Sequence, residues 1–350
     1  MTNTTQHIII IGGGPAGLEA ASSLGAAGYT VTVLEKEEQT GGKLRSWYKL
    51  FPDFRTSCQV QEYLANGQKM NPPEIITNAE VVKITPEIDS HKVVLADGQI
   101  LKADAILIAT GFQVFNAEKK EEYGYKIYDN VITSVDLEAK LKSGKPVKTV
   151  QGTTPSRIGF IHCVGSRDKK VGNVYCSRVC CITGVKQAIE MKENLPEAEI
   201  YNFYMDLRMF GQNFEELYIE AQQKWGISFI RGRVSEIAEN MDKSLQLKAE
   251  DTLSGRPIKM NFDLVVLLVG MVPATGTNKI GTSAGLDFTP GNFLLGANTH
   301  TAQNETKIPG IFISGTCREP LSIAETLSDA RSATVRIISW LRENESKMKN

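Results

Sequence analysis

Apolar residues along this chain come in short runs that glycine or proline cuts off. The first, HIIII from His7 to Ile11, breaks at Gly12-Gly13-Gly14 and passes into PAGLEAASSLGAAG, rich in small residues at helical spacing. That pattern predicts a buried strand, a tight turn and a helix, with a second strand following in YTVTVLEK. Comparable runs in ADAILIATG (103–111), RIGFIHCVG (157–165), EIYNFYM (199–205), FDLVVLLVGMVPATG (262–276) and GIFISG (310–315) predict further buried strands. Helices are expected from near Cys176 or Ser177 through VKQAIEMKE, and after the loop that follows Gly315. YLANGQKMN predicts a short helix, and Asp97-Gly98 a hairpin turn between the strands beyond it. Strands buried on both faces and separated by helices define an α/β protein.

Composition narrows this picture only a little. The 350 residues suffice for two domains, and a formal charge of -1 gives no support to a nucleic-acid partner. The greasiest run, LVVLLVGMV, is far short of a transmembrane span. MTNTTQH shows no basic segment leading into a long apolar run, so no secretion signal is expected. Six cysteines, four of them between Cys163 and Cys181, do not resemble a secreted disulfide framework. A cytoplasmic protein is expected, with any membrane association made through partners.

The glycine-rich turn carries the first chemistry. Gly12 permits the turn, Gly14 lets the backbone approach a pyrophosphate, and Gly17 allows close packing of helix on strand. The helix N-terminus offers free N–H groups to phosphate. Glu35, near the end of the second strand, stands where a carboxylate accepts hydrogen bonds from an adenosine ribose. Three later motifs separate FAD from NAD. QTGGKL (39–44) resembles the loop that FAD enzymes wrap along the cofactor. Ala109-Thr110-Gly111 resembles their second FAD contact, and GIFISGTCREPLSIAETLSDARSA their closing motif, a helix N-terminus aimed at the flavin. These resemblances assign FAD contacts to Gly12, Gly13, Gly14, Pro15, Ala16, Gly17, Glu35, Lys36, Gly42, Lys43 and Leu44. They add Val82 near the adenine, Ala109, Thr110, Gly111, Gly315, Thr316, Ile323 and Ala324. Lys43 would meet the pyrophosphate; a solvated lysine is the plain alternative. The order of the motifs makes the FAD domain discontinuous, 1–150 with 280–350, around an inserted Rossmann-like domain at 151–279.

A nicotinamide-binding insert would open with its own GxGxxG. Here RIGFIHCVG ends in Cys163 and Gly165, and no glycine fingerprint leads into the next helix. The stretch YCSRVCC (175–181) stands there instead. Cys176 and Cys180 can share a helix face, Cys181 lies about 100° around it, and all three converge only on an irregular backbone. Four thiolates could hold zinc or an iron–sulfur cluster, though the spacing fits neither zinc ribbons nor ferredoxins. A catalytic disulfide has no Cys-x-x-Cys to use. Inert buried thiols fit one or two cysteines better than four. A flavin domain without a nicotinamide loop needs an electron partner, and zinc has no redox chemistry, so one [4Fe–4S] cluster is favoured.

CVGSRD followed by YCSRVCC resembles the flavin-and-cluster core of the A subunit of heterodisulfide reductase. The C-terminal PGIFISGTCREPLSIAETLSDARSA and the connector DNVITSVDLEAKL (129–141) agree with it. The resemblance covers nearly the whole chain. It implies a two-dinucleotide-domain flavoprotein of the thioredoxin-reductase and pyridine-nucleotide-disulfide-oxidoreductase type. It also implies FAD, one [4Fe–4S] cluster on Cys163, Cys176, Cys180 and Cys181, and Cys58 and Cys317 as non-ligands. The family's further ferredoxin-type inserts are missing here, which speaks against a long internal chain of clusters and against flavin-based bifurcation. Compact subunits of this kind are similar to those of sulfur oxidisers. The implied role is an electron relay without a transmembrane segment, whose partner B and C subunits handle disulfide or persulfide. A lipoate-bearing sulfur carrier is implied as a further partner, and a homodimer is the expected assembly.

Arg167 and Arg178 flank the cysteines, where they would raise a cluster's potential or form salt bridges. His162 should point to the sheet face opposite Cys163. Two rival readings stand beside the relay: a stand-alone NAD(P)H-dependent flavin oxidoreductase, and a scaffold that keeps FAD as structure.

Overall fold

Five isoleucine-rich residues, His7–Ile11, become the centre of a parallel sheet because β-branched side chains pack well on a pleated surface buried on both faces. The computed structural model describes residues 6–88 and 90–349; Met1–Thr5, on which the signal-peptide expectation partly rests, lie outside them. The chain forms two compact units.

The first unit comprises 1–45, 58–113 and 272–350. Its five-stranded parallel sheet runs in the order Ile311–Ile313, Ala105–Ile108, His7–Ile11, Thr30–Leu34, Glu74–Ile76. The helices Pro15–Ala26 and Ile323–Lys349 cover one face, where Leu24, Ala330, Ala333 and Ile337 bury against Ile8, Ile10 and Leu107. A three-stranded antiparallel sheet, Val81–Thr85, His91–Leu95 and Ile100–Ala103, packs on the other. The expected hairpin is there: Gly98 takes φ 91° and donates to the Leu95 carbonyl, while Asp97 accepts from Gln99 N–H.

The second unit, 46–57 with 114–271, repeats that architecture. Its parallel sheet runs Ser228–Arg231, Glu199–Tyr204, Arg157–Val164, Leu264–Val269, Val131–Thr133, with an antiparallel sheet of Val234–Glu239, Leu245–Asp251 and Arg256–Phe262. The boundaries differ from the expected 150/151 and 279/280. Val131–Thr133 pairs with Val265–Leu267, and Ile132, Leu137 and Leu141 enter this unit's core, so 114–150 is part of it. At the other boundary, Thr277 bonds Thr110 and Ser283 accepts from Ile84 N–H, which ties 272–283 to the first unit. Among the described residues no helix is long and apolar enough to cross a membrane.

The helix expected from Cys176 or Ser177 begins later, at Cys180. Arg178 sits at φ 61°, a left-handed conformation that a helix cannot contain, so Cys176 and Ser177 lie in an irregular loop.

Candidate functional site

In the first unit the glycine turn is held by contacts that tolerate no side chain. A Cβ on Gly12, at φ 112°, would stand 2.4 Å from the Ala109 carbonyl oxygen, and one on Gly17 would stand 1.9 Å from that of Gly12. Gly14 is different: nothing lies within 4 Å of where its Cβ would be. Gly14 also caps the helix Pro15–Ala26 without any side-chain hydrogen bond, so the first N–H groups of the helix, at Ala16 and Gly17, have no capping acceptor there. Such a cradle fits a pyrophosphate.

Glu35, Gly42 and Gly315, among the other residues assigned to FAD, lie beside it. Glu35 is buried and accepts from Gly13 N–H at 2.8 Å and from Glu37 N–H at 2.9 Å, which fixes the carboxylate beside the turn. Lys36 reaches outward to Glu37 at 3.7 Å. The short 3-10 helix Gly42–Ser46 buries Leu44, and a Cβ on Gly42 would stand 3.3 Å from Gly14 Cα. Lys43 on that turn lies 5.6 Å from the Phe112 ring centroid; desolvation, then the Lys36 charge, lowers its pKa. A Cβ on Gly111 would be 3.7 Å from Thr316 Oγ1, and one on Gly315 2.8 Å from Ala16, so both later motifs adjoin the turn. Ile323 and Ala324 open the last helix behind a Ser322–Glu325 capping box. Val82 is half-buried on Val81–Thr85. Sequence reasoning misses Asp329, which accepts from Gly315 N–H at 2.7 Å and from Ser314 Oγ at 2.9 Å and so shapes the loop. It also misses Thr277, the partner of Thr110; neither residue carries a motif that would point to it.

The second unit gathers the four cysteines. Cys163 is the last residue but one of the strand Arg157–Val164 and sits at φ 61°, where the pairing with Leu264–Val269 slips between Ile161 and Val164. His162 is buried in a hydrogen bond to Asn202 Oδ1 at 2.9 Å, and burial lowers its pKa to about 4. After Gly165, a turn closes between Arg167 N–H and the Tyr175 carbonyl (2.8 Å), which leads the chain straight into Cys176. Buried Ser166 and Ser177 bond each other, and Ser177 accepts from Met271 N–H at 2.9 Å. A Cβ on Gly270 would strike both hydroxyls, at 2.2 and 2.7 Å. Cys180 and Cys181 are the first two residues of the helix Cys180–Asn194.

Cys163, Cys180 and Cys181 are buried and Cys176 partly so; Cys58 is exposed. Burial pushes the Cys163 thiol up, Cys180 well up, and Cys181 to about 11, and each of the three also feels the charge of Cys176. Cys180 Sγ lies 3.9 Å from the Val269 carbonyl and Cys181 Sγ 3.8 Å from that of Asp206. Among the described residues no group of three or more His, Cys, Asp or Glu is arranged to hold a metal ion. The four thiols are therefore neighbours that sense one another, without a closed coordination shell. Beside them Arg167 buries Nη1 with no hydrogen-bond partner. Cysteines brought to one strand end and one helix start, with an arginine nitrogen left over beside them, fit a thiolate-bound group of net negative charge. Cys317, fully buried, donates to the Ser314 and Ile108 carbonyls instead, and burial lifts its pKa to about 12.

Two units of this architecture, the first with a glycine-turn cradle, make the chain a two-Rossmann-domain flavoprotein fold. Residues 6–150 match the pyridine nucleotide-disulphide oxidoreductase family. Lactococcus lactis thioredoxin reductase superposes with a TM-score of 0.68 at 18% identity, over 97% of this chain and 100% of its own. The T. acidophilum thioredoxin reductase gives 0.66 at 17% identity, over 95% and 98%. The chain is homologous to the A subunits of archaeal heterodisulfide reductases. It is 32% identical to the iron-sulfur A subunit of the CoB–CoM heterodisulfide reductase of Methanocaldococcus jannaschii, over 94% of this chain and 63% of that protein. With the A subunit of the H(2)/formate:CoB-CoM heterodisulfide,ferredoxin reductase of Methanococcus maripaludis it shares 39% identity, over 71% of this chain and 39% of that protein. The chain thus spans less than two thirds of these relatives' lengths. The relatives it matches are named as subunits of reductases.

Proposed function

We propose that this protein is an electron-transfer subunit of a heterodisulfide-reductase-like complex, with FAD in the glycine-turn cradle and one [4Fe–4S] cluster on Cys163, Cys176, Cys180 and Cys181. The observation that carries it is the placement of those four cysteines near the end of one strand, in the loop after it and at the start of the next helix, in a homologue of proteins named as iron-sulfur A subunits. FAD exchanges electrons singly or in pairs and a cluster exchanges them singly, so the two together would link pair chemistry to single-electron traffic. The chain's own residues bind and orient. Gly14 and the uncapped helix start receive the pyrophosphate, Glu35 the ribose, and burial shields Cys163, Cys180 and Cys181 from water.

Disulfide or persulfide chemistry then belongs to partner subunits of the B and C type, with the protein itself a homodimer in the cytoplasm. Oxidative sulfur metabolism, with a lipoate-bearing carrier among the partners, is the setting proposed for this relay.

Iron and acid-labile sulfide per FAD, measured on anaerobically purified protein and on alanine variants of each cysteine, test this reading. About four of each per chain are expected, lost on changing Cys163, Cys176, Cys180 or Cys181. Retention in Cys163→Ala with loss in Cys58→Ala or Cys317→Ala would overturn the ligand assignment.

A further inference from the structure

Two arginines stand next to the cysteine loops, and the structure gives them different surroundings. The Arg178 guanidinium stacks 5.6 Å from the centroid of the exposed Phe210 ring. Arg167 turns inward. Its backbone adopts φ 53°, following Gly165 at φ 74°, and the Cβ position of Gly165 is filled by the Phe115 ring, 2.0 Å away.

Two backbone constraints and one side-chain contact bring Arg167 beside the cysteine loops. Arg167 follows Cys163 by four residues in that tight turn. Its N–H bonds the carbonyl of Tyr175, the residue before Cys176. Its Nη2 donates to Asp206 Oδ2 at 2.7 Å, and the backbone carbonyl of the same Asp206 lies 3.8 Å from Cys181 Sγ. Asp206 is in turn held by Arg231 at 3.3 Å. With Nη2 committed to Asp206, Nη1 is left buried and without an acceptor. A guanidinium N–H in that state costs free energy unless something accepts from it.

We infer that Arg167, oriented by Asp206, donates its free Nη1–H to a sulfur of the cluster held by the four cysteines and thereby raises that cluster's reduction potential. The inference rests on the cluster reading above. A charge-assisted hydrogen bond to sulfur favours the reduced, more negative state, so a donor fixed at this point makes the centre a better electron acceptor. Arg167 acts here as a positioning and tuning residue and transfers nothing itself.

EPR-monitored redox titration of wild type, Arg167→Gln, Arg167→Lys and Asp206→Asn, with iron and sulfide assayed on the same samples, tests it. In Arg167→Gln the metal content should be unchanged while the oxidised-to-reduced equilibrium shifts about tenfold toward oxidised, a fall of about 59 mV for a one-electron couple. Arg167→Lys, which keeps charge but loses the fork, should fall by less. Asp206→Asn should fall too, because the guanidinium is no longer aimed. An unchanged potential in iron-loaded Arg167→Gln overturns the inference, as does loss of iron from both Arg167 variants, which would make the residue structural. Wild-type protein free of iron and sulfide would instead sink the cluster reading beneath it.

Discussion

The Lys186 ammonium lies 2.9 Å from Glu190 Oε2, yet neither Glu190 oxygen receives a hydrogen bond. Lys186 spends its donors on Glu138, at 2.8 and 2.9 Å, and on the Lys49 carbonyl at 2.9 Å. Glu190 is 1% exposed, and burial, only partly offset by Lys186, pushes its pKa up to about 7. Its folded pKa is thus raised above the unfolded value of 4.5. The native state keeps the proton through that window while the unfolded chain gives it up, so this group's favourable contribution is full below pH 4.5 and declines as pH rises toward about 7. Melting temperatures of wild type and Glu190→Gln across roughly pH 4–8 should show that decline in wild type and a flatter curve in the variant. Parallel curves would place the carboxylate in a better-solvated state than the structure gives it.

Gly14 and Gly17 make a matched pair for the cradle. Gly17→Ala drives a methyl into the Gly12 carbonyl, 1.9 Å away, and should destabilise the first unit by more than about 2 kcal/mol. Gly14→Ala meets no protein atom. It should leave the apoprotein melting temperature unchanged while the ratio of flavin to protein absorbance falls, since the methyl occupies the space in front of the helix. Full flavin retention in Gly14→Ala would argue against a pyrophosphate there.

Cys58 and Cys317, the two cysteines outside the quartet, should separate by accessibility. Cys58 is exposed and Cys317 has no exposed surface. Alkylation of the native protein followed by peptide mapping should therefore modify Cys58 first and leave Cys317 untouched. Cys317→Ala should cost about 1 kcal/mol of stability, for a small cavity and two lost thiol contacts, without changing iron content.

Asp168 anchors the loop that leads to Cys176, through the Asp168–Asn173 backbone pair. Lys120, as buried as Asp168, meets it at 2.7 Å, and half-exposed Arg233 meets it at 2.9 Å. Removing the buried partner leaves the buried carboxylate only half-exposed Arg233 as a counter-charge: Lys120→Met should cost about 3 kcal/mol in urea unfolding, whereas Arg233→Met should cost under about 1 kcal/mol. Equal losses would mean that Arg233 carries the pair.

The first unit is readable in the sequence because its signals are local. An apolar run, three glycines and a small-residue helix specify strand, turn and helix wherever they occur, and Asp97-Gly98 marks a hairpin in the same way. The second unit depends on tertiary contacts. Nothing in SRV tells that Arg178 takes a left-handed φ, so the residue pattern puts the helix start too early. Val131–Thr133 is three residues long, too short for a pattern to say which sheet it joins. The cysteines are visible as chemistry, but the pairing of Arg167 with Asp206, 39 positions apart, arises from the folded sheet alone.

The excursion Ser46–Ser57 belongs to the second unit although the sequence on both sides of it belongs to the first. Its backbone is pinned there, the N–H groups of Tyr48 and Lys49 donating to Glu138 and the Lys49 carbonyl accepting from Lys186. The cysteine-bearing half consequently has no single excisable gene segment: expressed as 114–271 it would present Glu138 and Lys186 with a missing lining. Grafting it onto another flavin scaffold requires carrying the 46–57 loop along, or redesigning the hollow it fills.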